Sequence, residues 1–384
     1  MHADNLRAMA DLRGRFAETF ALAYLDPPFN TGRTFAEYKD ALTPNDWLAM
    51  MRPRILEMHA LLRPDGALVA EIDDTMVAGL QALLDGVFGR DQRVSTITVV
   101  RSAGTGHKAK NRGPVNVTDF LLVYEKKKGA WRYRPQHKVR AGYDPAYRTW
   151  VRDPRAPLRA WTFEPLRRVV ARHLGFPSGR AAATSCGAGA FEDAVVAFAF
   201  GQPDHVVRFA QPRFEAVSQA ARALILRSRL SPLQVFRLRR GRHPDMLLRG
   251  GNRILFLSSK VRTVAGTPRI VEPLTNVWDD IGFQGIAKEG GVVFSRNKKP
   301  ERLLGRIIAM TTDPGDWVLD PFLGSGTTAA VAHKMGRRWV GIEVGDQLEA
   351  LSVPRLLRVV LGEDKSGVTR EAAWTKGGGF RVLG

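Results

Sequence analysis

The sequence has one cysteine, Cys186, in 384 residues. A single thiol excludes an internal disulfide framework and any zinc site built on several cysteines. Long apolar stretches are missing too. The longest unbroken run is Ala194 to Phe200, far short of the roughly 18–20 residues that a membrane-spanning helix needs. The first 25 residues carry Asp4, Arg7, Asp11, Arg13, Arg15 and Glu18, so no signal peptide is expected. The eight histidines show no ligand spacing. His107 and His243 read as loop or phosphate contacts, and no metal is expected. The expectation is a cytoplasmic protein with no place in a membrane.

Acidic residues are scarce in the middle of the chain. Lys and Arg number 58 against 38 Asp and Glu, a net charge of +20. Between Trp131 and Ile270 there are 26 basic and 8 acidic residues, an excess of 18, which leaves an excess of only 2 elsewhere. A nearly neutral body with one strongly basic segment is the footprint of a polyanion binder. A solvated arginine-rich surface is the plainer alternative. Apolar residues make up 44%, enough for a sizeable core, and the length suggests two domains or one domain with a large insertion.

Residues 1–130 alternate between strand and helix patterns. Phe20 to Leu25 is a short apolar run that ends at Asp26, as a buried parallel strand would. Thr43, Pro44 and Asp46 mark a helix start, and its apolar face runs through Trp47, Met50, Met51, Ile55, Met58 and Leu62. Ala67 to Ile72 is the next strand. Val94 to Val100 and Asp119 to Glu125 flank a loop and predict an antiparallel pair at a sheet edge. Residues 131–290 lose this alternation and read as a second, basic domain or long insertion. Within them, Glu192 to Phe200 and Phe214 to Leu230 look helical and Arg253 to Leu257 looks like a strand. Residues 291–384 return to α/β logic, with Trp317 to Asp320 and Arg338 to Glu343 as strands. A helix over Gln347 to Val360 is kinked or restarted at Pro354. The Gly-rich last twenty residues predict a loosely packed tail.

Two motifs carry chemistry. Asp26-Pro27-Pro28-Phe29 follows the first strand, where open α/β sheets bind ligands. Asp26 offers a hydrogen-bond acceptor, the prolines stiffen the backbone beside it, and an aromatic ring can stack on a base that has left the duplex. A strand-terminating turn uses the same residue types. The second motif is Asp320-Pro-Phe-Leu-Gly-Ser-Gly-Thr-Thr328, a strand, glycine turn and helix start. Gly324 and Gly326 let the backbone approach a ligand. Ala329 stands where a dinucleotide fingerprint has its third glycine, so the spacing excludes nothing, but the absence of Gly-Lys-Ser/Thr excludes a P-loop. Glu343, 23 positions after Asp320, is a carboxylate able to accept both hydroxyls of a ribose.

Together the two motifs resemble the amino-methyltransferases of DNA that use S-adenosylmethionine, in the order of their β group, where the variable segment between the motifs is the target recognition domain. Leu25-Asp-Pro-Pro-Phe-Asn-Thr-Gly32, Trp47 to Pro53, Ile72-Asp-Asp74 and Asn297-Lys-Lys-Pro300 with Leu303-Leu304 are similar to runs in the modification subunits of type III restriction systems. The resemblance covers about 1–128 and 275–345. It implies a Rossmann-like α/β methyltransferase fold with a seven-stranded, mainly parallel sheet, one antiparallel strand near the edge and a recognition insertion. The expected division is 1–130 (catalytic half), 131–290 (recognition domain) and 291–384 (cofactor half).

By the resemblance, Asp26 and the Pro27 carbonyl accept hydrogen bonds from the target amine, Pro28 stiffens the loop, and Phe29 stacks on the flipped base. Asp320, Gly324 and Gly326 cradle the methionine part of S-adenosylmethionine, Phe322 and Ser325 belong to the same cofactor site, and Thr327 and Thr328 hydrogen-bond nearby. Glu343 holds the ribose, and Lys299 and Pro300 start the helix that closes over the methionine end. Arg237, Arg239, Arg240 and Arg242 are the candidate DNA contacts. The implied reaction is methylation of adenine N6 in double-stranded DNA by direct displacement. Cytosine N4 methylation, a non-catalytic specificity subunit and an RNA substrate stand as alternatives. A restriction subunit and a second copy of the chain are the candidate partners. Cys186, in Thr184-Ser-Cys-Gly-Ala188, does not read as the nucleophile of cytosine C5 chemistry.

Overall fold

Strand β1 (Phe20–Leu25) forms because six apolar residues in a row can be buried on both faces, and all six are. The structure is a computed structural model. It describes residues 1–30, 42–102, 113–241, 243–264, 266–294 and 298–384, with backbone alone at 33–34 and 39–40. Thr31, Gly32, His107, Arg242 and Asn297 lie outside the described residues, as do residues 103–112 of the loop after Val100.

The chain divides into two compact units, residues 1–136 with 273–384, and residues 137–272. The first is built on a seven-stranded sheet. Its strands are β1, β2 (Leu62–Ile72), β3 (Arg93–Val100), β4 (Thr118–Glu125), β5 (Val277–Trp278), β6 (Trp317–Asp320) and β7 (Arg338–Gly341), in spatial order β5-β3-β4-β2-β1-β6-β7. β4 runs antiparallel to both its neighbours and the other four pairings are parallel. The predicted β3–β4 pair forms, but β5 lies beyond it at the edge. Residues 131–136 and 273–290 therefore belong to this unit and not to the basic insertion; β5 is too short to announce itself in sequence.

Among the described residues six helices flank the sheet: α1 (Asn5–Phe16), α2 (Pro44–Leu61), α3 (Val77–Phe88), α4 (Glu301–Thr311), α5 (Thr327–Lys334) and α6 (Val353–Leu361). Strand alternation sends Ala23, Leu25, Leu68 and Ala70 toward Trp47, Met51 and Ile55 of α2 and Leu80 and Leu84 of α3. Leu22, Tyr24 and Val69 face Leu304, Ile307 and Ile308 of α4 and Val331 of α5. α2 starts as its sequence indicates. Thr43 caps it, its hydroxyl accepting from Asp46 N–H at 3.2 Å while donating to the Asp46 carboxylate at 2.7 Å. Pro354 sits in the first turn of α6, just after a π-helical turn over Leu348–Ser352. The last residues are docked, contrary to the loose tail expected. Trp374 donates to the Val359 carbonyl at 2.9 Å, and Phe380 packs against Trp339.

The second unit holds a six-stranded sheet whose pairings are all antiparallel. In spatial order its strands are Val235–Arg240, His243–Arg249, Asn252–Phe256, Val206–Ala210, Thr149–Val151 and Phe163–Pro165. Helices Ala188–Gly201 and Gln219–Leu230 pack against it through Phe191, Val195 and Ile225. At the base of the insertion, Leu274 N–H donates to the Gln136 carbonyl at 2.9 Å.

Candidate active site

β1 and β6 lie side by side and parallel, so the residues that follow them, Asp26 and the Asp320 turn, emerge at the same sheet end. Nearly 300 residues of sequence separate the two motifs, and both line one cleft of about 250 Å³. Asp26, Pro27, Pro28 and Phe29 form one wall. Phe322, Gly324, Glu343 and Gln347 form another. A smaller recess of about 50 Å³, lined by Asp320, Ser325, Thr327 and Thr328, shares Asp26, Lys299 and Gly324 with the cleft.

The Pro-Pro segment is held from outside. The Trp47 indole N–H donates to the Pro28 carbonyl at 2.8 Å, so α2 fixes the loop that carries Asp26. A buried indole N–H needs such a partner, a demand that a reading of Trp47 as core residue overlooks.

Asp26 meets a cation directly. Lys299 Nζ lies 2.7 Å from Asp26 Oδ1 and 3.1 Å from Glu71 Oε1, and 4.5 Å from the centroid of the Phe29 ring. Lys299 lines the recess beside Asp320, while its ammonium is engaged by the Asp-Pro-Pro-Phe motif. Burial alone would lower the Lys299 pKa, but Asp26, Glu71 and Asp119 override it and hold the ammonium above its ordinary range. Burial pushes the Asp26 carboxyl up to about 7; Lys299 opposes the rise while Glu71 and Asp320 add to it. Asp119 is likewise raised to about 7, by burial first, with Lys299 and Arg101 opposing. Tyr24 donates its hydroxyl to Glu71, and burial raises the Tyr24 pKa well above its usual value.

The glycine turn adopts the conformation its residues permit. Gly324 and Gly326 have φ of +52° and +76°. A Cβ on Gly324 would meet only the Phe322 carbonyl, at 3.9 Å, whereas one on Gly326 would press on Ser352 at 3.2 Å. Asp320 accepts from Phe322 N–H at 2.9 Å and from Thr328; burial raises its carboxyl to about 6 against these bonds. Glu343 Oε2 accepts from Gly324 N–H at 2.8 Å, and its Oε1 accepts from Val344 N–H, Gly345 N–H and Gln347. The Thr327 hydroxyl accepts from Arg355 at 2.7 Å and contacts Ser325 at 3.1 Å. Arg355 also pairs with Glu301 at 2.8 Å, and Lys334 bridges Glu301 and Asp364, both at 2.7 Å. This buried network ties the glycine turn to the first residue of α4, next to Pro300.

The N-terminal segment completes the cleft, which sequence reasoning missed. Ala3, Asp4 and Asn5 line it. Asn5 donates to the Pro321 carbonyl at 2.9 Å, and Arg54 binds Asn5 at 2.6 Å and Asp4 at 3.0 Å. The local signal is only an N-cap, Asp4 accepting from Leu6 and Arg7.

In the second unit, Arg237 and Arg239 are exposed on the sheet face that carries Val235. Arg249, cross-strand partner of Val235, lies over Phe163 at 4.5 Å and Phe209 at 6.0 Å. Arg240 instead turns back on its own hairpin and donates to the Pro244 carbonyl at 2.9 and 2.6 Å. Cys186 is exposed, and the described residues hold no cluster of ligands fit for a metal ion. No helix among them is long and apolar enough to cross a membrane.

A family profile described as DNA methylase matches residues 20–184 and 258–353, more than half of the chain and both motif regions. The chain belongs to this DNA methylase family. The chain is 28% identical to the "probable type III restriction-modification enzyme HindVI Mod subunit" of Haemophilus influenzae, over 98% of its own length and 52% of that protein. It is 26% identical to the type II methyltransferase M.EcaI of Enterobacter cloacae, over 84% of this chain and 61% of the relative. The chain thus spans about half to three-fifths of the length of these relatives. Among solved structures it is similar to an M1.HpyAVI–SAM complex, at 16% identity and a TM-score of 0.42, covering 92% of this chain and 97% of the other.

Proposed function

We propose that this methylase transfers the methyl group of S-adenosylmethionine to the N6 amine of an adenine flipped out of double-stranded DNA. The observation that carries the reading is the shared cleft, where Asp26 with its stiff Pro-Pro backbone faces the Gly324 turn and Glu343. The donor set suits the cofactor. Glu343 is a carboxylate for ribose hydroxyls, Gly324 leaves room that a Cβ would fill, and Asp320, Ser325 and Thr327 line the recess suited to the methionine end. When bound, S-adenosylmethionine supplies an electrophilic methyl on a sulfonium.

The chain's own residues do the rest. An exocyclic amine is a poor nucleophile because its lone pair is delocalised into the ring. Asp26 accepts a hydrogen bond from one N–H and the Pro27 carbonyl accepts the other, which raises electron density on the nitrogen and favours its tetrahedral form. Methyl transfer would build positive charge on that nitrogen until it sheds a proton, and Asp26 is the carboxylate placed to take it. A carboxylate beside the nitrogen stabilises the transition state. Phe29 offers a ring face to the base, and the fixed loop contributes alignment. DNA binding falls to the basic unit, with Arg237, Arg239 and Arg249 toward the polyanion. The Mod-subunit relative supports a restriction subunit as partner; a second copy of the chain and a cytoplasmic setting complete the proposal.

The test is incubation with labelled S-adenosylmethionine and unmethylated genomic DNA, followed by nucleoside chromatography. Label in N6-methyladenine, lost in Asp26→Ala, is the expected result. Label in N4-methylcytosine would move the target base and keep the chemistry. DNA binding without any cofactor binding would overturn the enzymatic reading in favour of a specificity subunit.

A further inference from the structure

Glu71 stands out because it belongs to neither motif and yet shares the ion of the catalytic one. It sits near the end of β2, next to β1, with no exposed surface. It lines neither the cleft nor the recess, so it touches neither substrate. Its Oε2 is held by the Tyr24 hydroxyl, and among the described residues its Oε1 has no partner other than the Lys299 ammonium at 3.1 Å. The same ammonium is 2.7 Å from Asp26. One cation thus lies between two carboxylates, only one of which reaches the cleft.

We propose that Glu71 is a positioning residue that shares the Lys299 ammonium with Asp26 and so keeps Asp26 a free acceptor for the target amine. Paired with Lys299 alone, Asp26 would have its oxygen occupied and its negative charge largely cancelled beside the nitrogen it is meant to assist. With Glu71 present, the ammonium has a second place to sit. When an amine donates to Asp26, Lys299 settles on Glu71 without leaving a buried cation unpaired. The arrangement deepens the methyltransfer reading and rests on it for its purpose, though not for its geometry. Among the described residues, the charged and titratable groups around Asp26 are Lys299 before α4, Glu71 on β2, Tyr24 on β1, Asp320 on β6 and, through Lys299, Asp119 on β4. Of these carboxylates, Glu71 acts on Asp26 more strongly than Asp320 does.

The test compares the titration of Asp26 in the full chain as wild type, Glu71→Gln and Lys299→Met. Isotope-edited infrared spectroscopy on carboxyl-labelled aspartate reads it, with the Asp26 band identified by its loss in Asp26→Asn. Removing the Glu71 charge hands the whole ammonium to Asp26, so its midpoint falls by about one pH unit. Removing the Lys299 cation raises the midpoint. The acid limb of the methyl-transfer rate moves with the band. A carboxyl titrating at about 7 is about one-tenth ionised at pH 6 and one titrating at about 6 is half ionised, so the rate at pH 6 relative to its plateau rises about five-fold in Glu71→Gln. A purely structural Glu71 would lower the rate at every pH and leave the midpoint in place, which overturns the proposal. If Glu71→Gln does not fold, Glu71→Asp, which retracts the charge by one methylene, must move the midpoint down by a smaller amount; no movement is again refutation. Should wild-type protein methylate no DNA, the functional reading fails, while the infrared titration still decides the role of Glu71.

Discussion

The two units use charge in opposite ways. The first unit carries 34 basic and 29 acidic residues, and its telling ions form shared sets: Asp26, half-buried at the cleft, with buried Lys299 and Glu71 in one, and the buried Glu301, Lys334, Arg355 and Asp364 in the other. The second carries 24 basic and 9 acidic residues; its Arg167–Glu192 pair is exposed, and the one buried carboxylate among its described pairs, Asp144, takes partly exposed Arg208 and Arg140 as partners. Buried ions are expensive to desolvate, so they persist where geometry is at stake. Exposed arginines contribute little to stability and much to a long-range field. Charge in the first unit fixes atoms; charge in the second presents a positive field, which the proposed function assigns to a polyanion.

That contrast can be broken at its strongest point first. Glu301→Ala leaves Lys334 with Asp364 alone and strips Arg355 of its carboxylate, and removing one partner of a buried set costs about 3–5 kcal/mol. Urea denaturation should show that loss, and a change under 1 kcal/mol would mean that the network is not structural. Asp26→Ala should lower the rate of methyl transfer by about 10²–10³-fold, the range seen when one preorganised partner of a transition-state charge is removed. Filter binding should find DNA affinity unchanged, because the field comes from the other unit. The double change Arg237→Ala with Arg239→Ala should do the reverse. Affinity falls, the slope of log K against log salt becomes shallower by about two, and the rate at saturating DNA stays within two-fold. A salt slope that does not move would separate these arginines from the DNA face. The smallest effect sharpens the role of the scaffold. Trp47→Phe keeps the ring and loses the bond to Pro28, worth about 1 kcal/mol, and should appear in the methyl-transfer rate more than in melting temperature.

The first unit was the more legible in sequence, for local reasons. A six-residue apolar run, a Thr-Pro-x-Asp helix start and a glycine turn are signals confined to a few neighbours, and each became the expected element. What escaped was long-range. Lys299 meets Asp26 across 273 positions, and nothing near either residue announces the other. Glu71 sits in an apolar strand where a carboxylate looks like an exception, and its reason emerges only with Lys299 in place. Asp4 and Asn5 carry a capping signal and no hint that they wall a cleft. The second unit hid its sheet because arginines interrupt the strand pattern: Val235–Arg240 alternates Arg237 and Arg239 with Phe236 and Leu238, which period-two reasoning would accept, but its partners follow in short, irregular pieces. The docked tail misled by its glycines, which allow the turns, while Trp374 and Phe380 supply the anchoring.

The bond between Leu274 and Gln136 has a consequence for how such a chain can diversify. The first unit is interrupted for 136 residues, yet its two broken ends are stitched together where the interruption begins. For the sheet and its cleft, the whole intervening segment is a loop closed at its neck. Lengthening a loop costs only about 0.6 kcal/mol for each doubling. Evolution can therefore exchange, enlarge or trim that segment as a cassette, at little thermodynamic expense, while Asp26 and the Gly324 turn keep their mutual geometry.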